Sequence, residues 1–192
     1  DYVIYFQLKP QLYDKGGQIK ADASMDAAVE GFLRVHAGSA IADRLRNDWL
    51  LSLGKRKAWS VFDREYAQFV LDDDTQVKCY AMQSRLAKGE DAKKIGVDAR
   101  NSLLDPQYFG EACPELVQSL VQSGGLTKSE AAAIGRIALE NNLETLAKKT
   151  GGDDSIADVV RKARTDPNQA FKDFDKKAWR TGRENTAAAW GV

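Results

Sequence analysis

Few residues in this chain have the chemistry of a catalytic or metal-binding group. There is one histidine, His36, and there are two cysteines, Cys79 and Cys113. One histidine rules out a nucleophile–histidine relay with a second histidine to spare, and one histidine with two cysteines leaves no ordinary zinc set. His36 precedes Ala37-Gly38. That places it near a helix C-terminus, where the helix dipole favours a cation. Asp72-Asp73-Asp74 lacks the spaced acids, central glycine and distal glutamate of a calcium loop. It reads as a solvated turn in which Asp74 caps a helix. Gly54-Lys55 ends like a phosphate loop, but Trp49 stands where the loop needs its first glycine. The pairs Gly16-Gly17, Gly124-Gly125 and Gly151-Gly152 lack dinucleotide-binding spacing and read as helix terminators. Spacing singles out no pair of carboxylates for glycosidic chemistry, and no acid stands in an apolar patch that would raise its pKa. On the residues alone the chain reads as a scaffold without catalytic, cofactor-binding or metal-ligating residues.

The elements that hold these residues read as helices. Proline is limited to Pro10, Pro106, Pro114 and Pro167, and helix formers abound. Apolar residues recur at three and four positions rather than two. Ile41, Leu45, Trp49 and Leu53 step by four, with Ala42 and Leu50 beside them. Gly54 is placed to end this helix in a left-handed conformation. A second stripe follows: Trp59, Phe62, Tyr66, Phe69 and Val70. Asp22 or Ser24 can start a helix bearing Val29, Phe32 and Leu33 and ending near Gly38. Asp74 can cap one bearing Val77, Tyr80, Ala81 and Leu86 and ending at Gly89. Another runs from Glu90 toward Leu104 and breaks at Asp105-Pro106; Leu116, Leu120 and Val121 mark the next. Thr127 and Glu130 form a capping box ahead of Ile134, Ile137 and Ala138. Asp166-Pro167 reads as cap and first helical residue, leading to Phe171, Phe174 and Trp179. The expected fold is all-α: about ten to twelve short helices, paired side by side into a right-handed αα-superhelix, or α-solenoid. No strict sequence repeat is visible, so the solenoid rests on helix–turn–helix rhythm. Residues 1–192 read as one superhelical segment. Trp49 and Trp59 are expected to fill seams between helices, each burying on the order of 200 Å².

Composition sets further bounds. Twenty-eight basic residues balance 28 acidic ones, a formal net charge of zero, which argues against nucleic acid as a partner. Lys55, Arg56 and Lys57 make a small basic cluster that a solvated helix end explains. No stretch approaches the ~20 apolar residues of a membrane helix. The chain opens on Asp1 without Met or a signal peptide and stops at the helical-looking AAAWGV. A processed or excised protein, truncated at its C-terminus, is therefore expected.

Cys79 lies in VKCYAMQSRLAKGE and Cys113 opens CPELVQSL. Spacing leaves a disulfide and two buried thiols equally open. A bridge would add roughly 3–4 kcal/mol in the chain-entropy model and imply an oxidising compartment.

An ordered set of segments resembles the helical domain of soluble lytic transglycosylases, periplasmic enzymes of Gram-negative bacteria. The set is GFLRVHAGSAIADRLRNDWLLSLGKRKAW (31–59), KCYAMQSRLAKGE (78–90), EACPELVQSL (111–120) and LTKSEAAAIGRIALENNLETLAKKT (126–150). The likeness covers about residues 31–150. It implies a ring-shaped superhelix, a Cys79–Cys113 disulfide, a periplasmic location with possible membrane association through another part, and peptidoglycan glycan strands or other cell-wall enzymes as partners. Such enzymes cleave the MurNAc-β-1,4-GlcNAc bond by attack of the muramic 6-hydroxyl, leaving a 1,6-anhydro end, with one glutamate of a Glu-Ser pair as acid and then base. None of the nine glutamates here precedes serine, and no lysozyme-like stretch is present. No catalytic residue carries over, and the resemblance implies the non-catalytic portion of such an enzyme, working without a cofactor. A freestanding tetratricopeptide-like adaptor for protein segments is the alternative, and an autonomous enzyme using scattered carboxylates is a second rival.

Overall fold

A computed structural model describes residues 2–103, 110–140, 161–169 and 172. These residues are mainly helical; their only β pairing is an isolated bridge between Tyr13 and Ile19. The all-α expectation holds. The chain forms two compact units, Asp1–Glu90 and Asp91–Val192.

The first unit contains α1 (Tyr2–Leu8), a short 3-10 helix (Lys9–Leu12), α2 (Asp26–Val35), α3 (Ala40–Lys55), α4 (Trp59–Tyr66) and α5 (Thr75–Ala87). Helix α3 is central and packs against all the others. Ser39 caps its start by accepting the Ala42 N–H, and Leu45, Trp49, Leu50 and Leu53 are fully buried. Around them sit Val29 and Phe32 from α2, Phe62 from α4, and Val77 and Tyr80 from α5, all buried. The Asp74 carboxylate caps α5 by accepting the Gln76 and Val77 N–H groups, as its position in the sequence indicates.

Several boundaries differ from the sequence reading. Gly54 does not end α3; it lies inside it. A Cβ there would run into the Tyr80 ring, so glycine serves the close approach of α5 to α3. The left-handed turn falls instead on Lys57, with φ 58°. Helix α4 stops at Tyr66, and Val70 is 84% exposed rather than part of a buried stripe. Helix α2 starts at Asp26, because Asp22 spends its carboxylate on the backbone N–H and hydroxyl of Ser24, closing a turn before the helix.

The second unit contains α6 (Ala92–Ser102), α7 (Ala112–Gln122) and α8 (Lys128–Glu140), with helical residues again at 161–165 and 167–169. Asp91 caps α6. Ile95, Leu116, Val117 and Leu120 are fully buried. Gly124 ends α7 at φ 75°, whereas Gly125 is needed for a backbone approach: a Cβ on it would strike the Ala92 carbonyl, and one on Gly96 would strike the Gly125 carbonyl. The capping box forms, with Glu130 accepting the Thr127 N–H and Thr127 Oγ1 accepting the Glu130 N–H. Asp166 accepts the Gln169 N–H, as expected of a cap ahead of Pro167. The break at Asp105-Pro106, the pair Gly151-Gly152, and Phe171, Phe174 and Trp179 lie outside the described residues.

Cys79 and Cys113, both fully buried, form a disulfide. Replacing both by alanine should lower the unfolding free energy by about 3 kcal/mol, through lost cross-linking of the unfolded chain. Urea titration of oxidised wild type and variant checks this, and coincident curves would contradict it. Gly54→Ala should cost about 2 kcal/mol by overpacking. In a Tyr80→Leu background the same change should cost less than half as much, a coupling that a double-mutant cycle measures.

Candidate functional site

The polar residues of α3 are unusual for a helix so enclosed. Asp43, Arg46, Asp48 and Ser52 are all buried. Buried charge is tolerated only where partners replace water, and each of these has partners. Asp43 accepts from Arg46 Nη1 at 2.9 Å and from the backbone N–H groups of Val70 and Leu71 at 3.1 and 2.8 Å. One carboxylate therefore neutralises a buried guanidinium and also holds the segment that leaves α4. Ser52 donates to the Lys20 carbonyl at 2.7 Å. On the α2 side, Asp26 accepts from Trp49 Nε1 at 2.7 Å and from Arg56.

Between α2, α3 and α4 opens a cleft of about 550 Å³, within the usual range of small-ligand sites. Its α2 wall is one helix face, Ala27, Glu30, Gly31 and Arg34; small residues there leave the groove open. Arg46 forms the floor, and Arg64, Glu65 and Gln68 form the α4 side. Glu65 is 5% exposed. Its Oε1 accepts from Arg64 Nε at 3.0 Å, and its Oε2 lies 3.5 Å from Arg46 Nε. That second approach is an ion pair without hydrogen-bond alignment, for Arg46 Nε is buried and unsatisfied. Arg64 also reaches Glu30 Oε1 at 2.8 Å. The Glu65 carboxylate beside it holds the Arg64 guanidinium above its ordinary value. Arg34 makes no ion pair among the described residues.

The cleft holds no histidine, cysteine or serine. Glu65 is its one buried carboxylate, and both of its oxygens are turned to arginines. The arrangement suits recognition of charge rather than proton transfer.

A second buried acid corrects the expectation that no acid has a raised pKa. Burial pushes the Asp48 carboxyl above the usual carboxylate value, against the opposing pull of the Tyr13 hydroxyl and Lys9. Tyr13 donates to Asp48 Oδ1 at 2.5 Å, and Lys9 Nζ lies 3.6 Å from Oδ2. Burial and the same carboxylate drive the Tyr13 phenol upward. Asp48 does not line the cleft, so this cluster ties the 3-10 helix region to α3.

The residues singled out from sequence take structural places. His36 is the C-cap residue of α2 and packs on Phe32 at 4.4 Å between ring centroids. Asp73 pairs with Arg44, Asp72 accepts from Tyr66, and Asp74 caps α5. Trp49 is 1% exposed, while Trp59 is partly exposed and meets Phe62 edge to face. No group of three or more potential metal ligands stands together, and no helix is long and apolar enough to cross a membrane, among the described residues. Arg46 and Glu65 were not singled out from sequence. The available signal was positional: at about 100° per residue, Arg46 falls between Leu53 and Leu50 on the apolar face of α3. No family model, curated protein or solved structure matches the chain.

The raised Asp48 value sets a pH dependence. The folded state keeps this proton to higher pH than the unfolded chain. Stability contributed below the ordinary carboxylate value is therefore lost as pH rises through the folded value. Asp48→Asn should gain on wild type between pH 4 and pH 7, measured as the difference in unfolding free energy at the two pH values. A constant difference would contradict the assignment.

Proposed function

We propose that this chain is a non-catalytic, right-handed superhelical scaffold from a periplasmic peptidoglycan lytic transglycosylase. It positions glycan strands, or partner cell-wall enzymes, while bond cleavage to the 1,6-anhydromuramic end occurs on a lysozyme-like domain outside these 192 residues. The observation that carries the reading is the Cys79–Cys113 disulfide. Spacing left that pairing open and the family resemblance implied it, and such bonds persist in oxidising compartments. The all-α architecture supports it too. So does the state of the buried acids: Asp43, Asp48 and Glu65 are each committed to a cation, a hydroxyl or backbone N–H groups. The open polar cleft favours a second reading, a freestanding tetratricopeptide-like adaptor that binds protein segments.

Co-sedimentation with purified peptidoglycan sacculi, followed by analysis of the soluble products, tests the proposal. The protein should pellet with sacculi and release no anhydromuropeptides. Release of anhydromuropeptides would end the non-catalytic assignment. Failure to pellet would remove the glycan partner and leave the adaptor reading.

A further inference from the structure

The cleft between α2, α3 and α4 has more cationic capacity than its own carboxylates use. Arg46 is the anchor: its side chain is 7% exposed, and its Nη1 is spent on Asp43. Its Nε has no hydrogen bond, and among the described residues no side chain or carbonyl engages its Nη2. A guanidinium so enclosed, with donors left over, is costly unless something occupies the cleft beside it. Arg34, on the α2 wall, is exposed and makes no ion pair among the described residues. Two arginines with spare donors therefore face one groove.

The acids decide which anion fits. Glu65 gives both oxygens to arginines, while Glu30 gives only Oε1, to Arg64, and its side chain is 55% exposed. The lining thus carries three arginines and two glutamates. A doubly charged phosphate would meet little net positive charge and two nearby carboxylates. A single planar carboxylate matches the edge of a guanidinium and can accept two parallel N–H groups. Glu30 can in turn accept from an ammonium. We propose that this cleft binds a small zwitterion, an amino acid or short peptide, with the carboxylate between Arg46 and Arg34 and the ammonium on Glu30. The site does not depend on the transglycosylase reading; it requires only the cleft.

Calorimetric titration of the full chain with alanylalanine, its C-terminal amide, free alanine, acetate and inorganic phosphate tests the site, with amide chemical shifts of Gly31, Arg34 and Ala37 as the local readout. Alanylalanine or alanine should bind with a Kd on the order of 1 mM and shift those resonances. The amide and acetate should bind about tenfold more weakly, each lacking one charge-assisted contact. Arg34→Gln, on an exposed side chain, should weaken the zwitterion about tenfold without changing the fold, and Glu30→Gln should do the same while leaving acetate unaffected. Binding of alanine as tight as that of the dipeptide would identify a free amino acid as the ligand; binding of the dipeptide alone would identify a peptide. The proposal is overturned if phosphate binds more tightly than either zwitterion. It is overturned equally if the amide or acetate matches the zwitterion, or if no probe shifts the cleft resonances at about 10 mM.

Discussion

A helix surrounded on most sides must find partners for whatever polar residues it carries, and that constraint governs the first unit. Helix α3 packs against α1, the 3-10 helix, α2, α4 and α5, yet it carries Asp43, Arg46, Asp48 and Ser52 inside. Each of these chooses a neighbour. Asp43 takes the backbone beyond α4, Asp48 takes Tyr13 and Lys9, and Ser52 takes the Lys20 carbonyl. The apolar stripe supplies most of the driving force through burial. The polar contacts decide which segment lies where, because a wrong neighbour would leave a buried charge unpaired.

The same pairing shapes the cleft. Asp43 and Glu65 hold Arg46 from two sides but do not saturate it. Small residues on α2, Ala27 and Gly31, keep the groove in front of it open. Charge that the core cannot fully neutralise is thus presented at a concave surface. Neither Glu65 nor Asp48 is arranged as a free acid above that groove.

Much of the local structure was legible in the sequence. Asp74, Asp166 and the Thr127–Glu130 pair announce helix starts because their side chains satisfy N–H groups only a few residues away. The stripes of α3, α5 and α7 were readable for the same kind of reason, since helical period is a local property. Glycines were read less well. A helix terminator and a site of close helix approach look alike in one sequence: Gly124 proved the former, while Gly54 and Gly125 proved the latter. What separates them is a residue distant in the chain, Tyr80 in one case and Ala92 in the other.

Sequence alone determined the all-α class seen in the described residues, where several of the helices begin, and that the formal charge is balanced; these depend on residue type and near neighbours. Tertiary structure decided the pairing of Cys79 with Cys113, the raised Asp48 carboxyl, and the meeting of Arg34, Arg46 and Arg64 in one groove. Each of those rests on groups that are remote along the chain. Their energies come from desolvation and from partners that only packing brings within reach.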